Sequence, residues 1–154
     1  VRDRYDASYE NESLRRFLAE EPDDLPWMQD WLAMIREATG KGLRFSRVRV
    51  VSLPLSDYSR FGIWCSQFTG GAGEDIRYLT RGEAQAGGLP DHDYWLFDSR
   101  VLARMHFDDA DSFLGAEIIE EPAEIVQHNY WRDAAWHHAR RREDFATEQH
   151  VERY

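Results

Sequence analysis

One cysteine, Cys65, and one lysine, Lys41, stand in the 154-residue chain, and no apolar run approaches bilayer length. A lone cysteine excludes an intrachain disulfide and any cysteine-rich metal site. Without about 20 consecutive apolar residues there is no candidate for a spanning helix. The opening residues, VRDRYDASYENES, are polar and lack the apolar centre of a signal peptide. The reducing cytoplasm is therefore the expected compartment. Basic charge is also scarce: 19 basic residues face 29 acidic ones, for a net charge of −10. That balance argues against a general nucleic-acid binder or a binder of anionic membranes, since both present negative charge. Because Lys41 is the only lysine among the basic residues, arginine carries the rest, a bias that points to GC-rich coding.

Apolar and aromatic side chains are plentiful. Hydrophobic residues make up 42% of the chain and aromatics 14%, with 6 Trp, 7 Tyr and 8 Phe. This is enough apolar surface to offset chain entropy, so a folded domain is expected rather than disorder. The length suits one domain. We place an extended lead-in at 1–10, the domain at 11–142 and a C-terminal tail at 143–154, with no internal repeat.

Periodicity gives the elements. Leu14, Phe17 and Leu18 mark a short helix from Asn11, ending before Pro22. Asp23 and Asp24 are N-cap candidates ahead of Pro26. The apolar spacing of Trp27, Met28, Trp31, Leu32, Ile35 and Ala38 predicts a strong amphipathic helix, closed by Gly40 and Gly42. LRFSRVRVV (43–51) alternates as a strand, with Val48 and Val50 on one face and Arg47 and Arg49 on the other. Helical spacing returns over 56–68, and a glycine loop at 70–73 leads to a strand at 76–79. Glycines and Pro90 make 81–91 a surface loop. Three strand-like runs, 94–97, 101–107 and 113–119, are separated by short turns and predict an antiparallel meander. Glu120, Glu121 and Pro122 begin a long helix that runs to Arg140, Arg141 and Arg142, cations suited to its negative end. The class is α/β, a single domain with a mixed sheet packed by helices, a C-terminal meander and a final long helix. Its expected core is Trp31, Leu32, Ile35, Val48, Val50, Phe61, Leu96, Val101, Ala103, Ile118 and Ile125.

The cluster Asp91-His92-Asp93 is the most suggestive chemistry. If the hairpin turns at Ser99–Arg100, with Asp98 paired to Val101, Asp93 falls opposite His106. His92, Asp93 and His106 then become candidates for acid–base work or for a divalent metal. The same residues serve equally as local structure: Asp91 and Asp93 bonding turn backbone, His92 at a strand start, His106 on a strand. His128, His137 and His138 are a weaker set, because adjacent helix residues diverge by about 100° and cannot share one ion. The glycines at 70–73 lack the phosphate-loop order and precede Glu74 and Asp75, which repel phosphate. Cys65, beside Trp64 and Phe68, reads as a buried thiol. Ser52, Ser56 and Ser66 sit in no nucleophile elbow. Arg44, Arg47 and Arg49, with Arg77 on a neighbouring strand, form a basic stripe that binds an anion or an acidic peptide, or pairs with the excess carboxylates. The tryptophans exceed what a small core needs, and some suit a protein interface. Trp27 and Trp31 are assigned to the core.

Several segments together carry a resemblance: WLAMIREATGKGLRFSRVRVVSLPLSDYSRF, AGEDIRYLTR, LPDHDYWLFDSR, and MHFDDADSFLGAEIIEEP followed by YWRDAAWHHA. They resemble an uncharacterised actinobacterial family of domains of unknown function over roughly residues 12–140. That resemblance implies a gene neighbourhood with helix-turn-helix regulators and hence a regulatory role. A fainter similarity, of topology, is to half of a phospholipase D-like domain. That superfamily carries a His-x-Lys pair where this chain reads His92-Asp93-Tyr94, which implies a catalytically degenerate copy. The expected function is thus a non-catalytic cytoplasmic accessory protein that binds a protein partner such as a helix-turn-helix regulator. It would touch neither nucleic acid nor membrane and need no cofactor. Two alternatives stay open: a small hydrolase or phosphoester enzyme using His92, Asp93 and His106, and a small-molecule sensor with an aromatic pocket.

Overall fold

The computed structural model describes residues 2–3 and 8–151. In chain order its elements are α1 (Ser8–Leu18), a 3-10 turn (Pro26–Met28), α2 (Gln29–Gly40), β1 (Phe45–Val51), α3 (Asp57–Ala72) and β2 (Glu74–Thr80). There follow α4 (Arg81–Ala86), β3 (Tyr94–Phe97), β4 (Val101–Phe107), β5 (Phe113–Ile119), α5 (Pro122–His138), β6 (Arg140–Arg141) and α6 (Arg142–Glu148). The lead-in expected at 1–10 lies partly outside the described residues, and α1 already begins at Ser8.

β1 and β2 pair in parallel from Phe45↔Glu74 to Val51↔Thr80, and β6 adds antiparallel to β2. Side chains alternate along a strand, so this register sets two faces. Val51, Ile76 and Tyr78 pack with Ile63 of α3 and with Phe145, Ala146 and Val151 at the C-terminal end. Val48, Val50 and Leu79 pack on the other face with Ala84, Leu89, Ala135 and Ala139. The mixed sheet is thus a middle layer, with α3 and α6 on one side and α4 and α5 on the other.

α3 is enclosed on nearly all sides. Ile63 faces the sheet, while Phe61, Trp64 and Cys65 pack with Phe17, Met28, Leu32 and Ile35 of the preceding helical segments. Ser56 caps it by accepting from the Ser59 amide at 3.1 Å. The glycines expected as a loop instead continue this helix through Gly70 and Gly71, and Gly73 ends it. Gly73 has φ +122°, and a Cβ there would come within 2.7 Å of Thr39 Oγ1, so both backbone and space demand glycine.

The class read from the sequence is the one observed: an α/β domain of helices and mixed sheet, with a C-terminal antiparallel meander and a long helix after it. Four details differ. The meander does not extend the first sheet but forms its own, in the order β3-β4-β5. Part of the loop expected at 81–91 is α4, started by a capping box in which Thr80 and Glu83 satisfy each other's backbone amides. The tail expected at 143–154 contains most of α6, whose Phe145 is fully buried and stacked on Tyr78 at 5.1 Å. The turn before the 3-10 segment is capped by Leu25 in the left-handed region (φ 50°), with Asp23 accepting the Leu25 amide at 3.2 Å. Two expected core residues also lie elsewhere. Ile118 is 62% exposed on β5, which has no strand beyond it, and Trp31 is 36% exposed.

Candidate functional site

Strand order places β1 at an edge of the first sheet and β3 at an edge of the second. A cavity of about 720 Å³ is lined by every residue from 46 to 50 on β1 and from 92 to 96 at β3. α3 contributes Tyr58, Phe61, Gly62 and Cys65, and α5 contributes Trp131 and Trp136. Trp27, Trp31 and Trp95 complete a set in which five of the six tryptophans line one space. Trp31 meets Trp95 edge-on at 6.4 Å, joining the α2 side of the molecule to β3. The tryptophan excess noted in the sequence is therefore gathered around a cavity, and Trp27 and Trp31, expected to fill the core, belong to that wall.

The hairpin register relocates the histidine cluster. β3 and β4 pair as Tyr94↔Arg104 and Phe97↔Val101. Asp98 and Ser99 turn the chain with positive φ (52° and 58°), so the loop holds one residue more than expected. A slip of one residue exchanges faces. The Asp93 carbonyl accordingly accepts the Met105 amide at 2.9 Å instead of facing His106, and His106 bonds Glu117 at 3.1 Å on the surface. Asp91 is exposed at the bend before the strand.

His92 meets His128 instead. Their Nε2 atoms are 2.9 Å apart, and His128, itself 1% exposed, has Nδ1 2.7 Å from the Glu124 carbonyl oxygen. A carbonyl only accepts, so His128 Nδ1 carries the proton and its Nε2 accepts. His92 Nε2–H must then donate to it. His92 Nδ1 is left as an acceptor and faces Arg104 Nη2 at 3.5 Å. The Tyr94 hydroxyl reaches the His128 carbonyl at 3.4 Å, and burial pushes its pKa up to about 12. The His92 pKa is lowered, first by burial and then by Arg104 and His128. This network keeps His92 neutral with both ring nitrogens engaged, so its geometry fixes the ring rather than offering a free base. Among the described residues no three His, Cys, Asp or Glu side chains converge to hold a metal ion. His137 and His138, with rings 4.9 Å apart in the last turn of α5, stay apart from the His92–His128 pair. Burial pushes the Cys65 thiol up, which keeps it protonated.

The arginines separate by face. Arg47 and Arg49 align with Ile76 and Tyr78, whereas Arg77 aligns with Val48 on the opposite face. Arg44 is exposed just before β1, so the stripe expected to combine Arg44, Arg47 and Arg49 with Arg77 does not form. Arg77 lies over the Trp136 ring at 3.8 Å. Arg47 makes a two-pronged contact with Glu74, whose side chain is fully buried, at 3.0 and 3.1 Å. Arg49 enters the cavity wall beneath Gly62, where a Cβ would come within 2.6 Å of its Nη1, and its guanidinium carbon stands 6.0 Å from the Tyr58 ring centre.

Sequence reasoning missed Tyr58 and Gly62 as parts of this wall, and Arg104 and His128 as the partners of His92. His128 had a legible signal, since it stands three residues after Ile125 on the inward stripe of α5. The other three depend on strand register and helix placement.

What fold and site define together is an α/β domain with an aromatic-walled cavity between the edges of two small sheets. The chain belongs to the family of domains of unknown function DUF6879, whose model matches residues 1–147. No curated protein and no solved structure matches it. No helix among the described residues is long and apolar enough to cross a membrane.

Proposed function

We propose that this protein is a non-catalytic regulatory module that binds a small molecule in the cavity between β1 and β3. The carrying observation is that cavity: about 720 Å³, walled by five tryptophans. Its size lies in the range of about 300–1,000 Å³ that accommodates small organic ligands. The histidines are engaged with each other, with Arg104 and with backbone, which supports binding over acid–base chemistry. That arrangement also suits a degenerate phospholipase D-like half, in which His92 has become a structural group. The test is a thermal-shift screen of small organic molecules, with tryptophan fluorescence as second readout. A hit should raise the melting temperature and alter emission. A broad library that moves neither overturns the reading.

A second reading, binding of a protein partner such as an actinobacterial helix-turn-helix regulator in the cytoplasm, is favoured by a separate observation. Phe113, Leu114 and Ile118 on β5 and Val126 and Tyr130 on α5 are exposed large apolar side chains. Such residues suit an interface better than bulk solvent. Co-expression with a helix-turn-helix regulator, if one is encoded beside the gene, should give a complex that Leu114→Asp and Ile118→Asp weaken. Two proteins that never co-purify remove this reading and leave the cavity reading intact.

A further inference from the structure

Four arginines line the cavity: Arg2, Arg47, Arg49 and Arg132. Three of them already hold a carboxylate: Arg2 pairs with Asp111, Arg47 with Glu74 at 3.0 Å, and Arg132 with Asp133 at 2.9 Å. Arg49 differs. Its guanidinium carbon stands 6.0 Å from the centre of the neutral Tyr58 ring, and no carboxylate among the described residues lies at ion-pair distance from it. Glu10 lines the same space, but burial pushes its pKa up, with Arg49 opposing, and it does not close onto the guanidinium. A guanidinium is always protonated, and burying it without a counter-charge is costly. The helix above it carries Gly62, where a Cβ would come within 2.6 Å of the Arg49 Nη1 and displace it.

Resting on the ligand-binding reading above, we propose that the ligand is a small aromatic monocarboxylate, its carboxylate held by Arg49 and its ring among the cavity tryptophans. The planar guanidinium fork matches a carboxylate with two parallel hydrogen bonds. Tryptophan faces and edges suit an aromatic ring. The charge count selects a monoanion. Glu10, Asp93 and Asp133 line the same cavity, and one unpaired arginine balances one negative charge. A phosphate monoester would bring a second charge beside those carboxylates.

Isothermal titration calorimetry on the full chain decides it. The probes are benzoate, cinnamate and 2-naphthoate, each with its primary amide, and 2-naphthyl phosphate. At least one acid should bind about 10–100-fold more tightly than its amide, the span expected for charge-assisted hydrogen bonds. Arg49→Gln should abolish that preference, so that each acid and its amide bind alike. Gly62→Ala keeps the arginine but displaces its tip, and should erase most of the preference in a protein that is demonstrably folded. Equal binding of acid and amide overturns the carboxylate assignment and leaves the cavity reading standing. Tighter binding of the phosphate overturns the monoanion assignment alone. Failure of every acid and every amide overturns the aromatic monocarboxylate, while the cavity reading falls only with the broad library.

Discussion

Truncation of Phe145 separates a packed C-terminal helix from a loose tail. Phe145 is fully buried, its ring lies 5.1 Å from Tyr78 at an interplanar angle of 7°, and the Arg140 guanidinium sits 5.2 Å from its centroid. Around it are Val51, Ile63 and Ile76, carried on two strands and the central helix. Those backbones are tied into the sheet and into α3, so the hole left by Phe145→Ala closes only in part. Phe→Ala in a core costs about 3–5 kcal/mol. Stacking on Tyr78 adds about 0.5–1.5 kcal/mol beyond burial, which places the expectation near 4 kcal/mol. For a chain of this size that is a fall in melting temperature of about 8–16 °C. Urea unfolding of wild type, Phe145→Leu and Phe145→Ala measures it, with leucine retaining most of the stability. A loss below about 1 kcal/mol for alanine, at unchanged denaturant slope, would refute the packing described for α6.

Other predictions concern charge and proton. His92 has a lowered pKa in the folded protein, so the folded state binds fewer protons there than the unfolded chain. Its contribution is complete above the ordinary imidazole value of about 6.5 and is lost as pH falls through the lower folded value. Midpoints of urea unfolding should therefore drop across mildly acidic pH in wild type and less steeply in His92→Phe. His92→Ala should cost about 1–3 kcal/mol, because it leaves the buried His128 Nε2 without its donor. Asp3 accepts from the Ser52 amide at 2.9 Å and hydroxyl at 2.6 Å and contacts Arg81 at 3.1 Å. Burial raises its pKa, but these partners together bring it below the usual carboxylate value. Its contribution is thus present above about pH 4 and lost below it, and Asp3→Ala should flatten the acid limb of the stability profile. Arg47→Met strands the Glu74 carboxylate and should cost about 3–5 kcal/mol, whereas the double change with Glu74→Leu should recover much of that loss in a double-mutant cycle.

The parts of this fold that were legible share one property: their signal is local. The alternation of 43–51, the apolar stripe of 27–38 and the three runs from 94 to 119 each carry a period that only one element satisfies. Gly70 and Gly71 misled because glycine weakens a helix by only about 1 kcal/mol, and a helix enclosed between two helices and a sheet tolerates that. Phe145 and Ala146 lie in a helix too short to show a period, and only the Tyr78 side of the sheet reveals their burial. The site was half visible. His92 and Arg49 could be singled out by residue type, but their partners His128 and Gly62 are set by tertiary placement. One residue in the length of a hairpin loop moved His106 out of the cluster altogether.

α5 packs against β1 and β2 of one sheet and also against β4 of the other. Among the described residues the two sheets share no backbone ladder, so their mutual angle is a soft coordinate compared with the strand pairing inside each. Whatever changes the width of the gap between β1 and β3 must therefore be accommodated at this helix. Its middle carries His128 to meet His92, and its C-terminal turn carries Trp136 over Arg77. Mechanically, α5 is the cross-brace of the molecule, and its exposed residues Val126 and Tyr130 would report to the outside how far the two sheets stand apart.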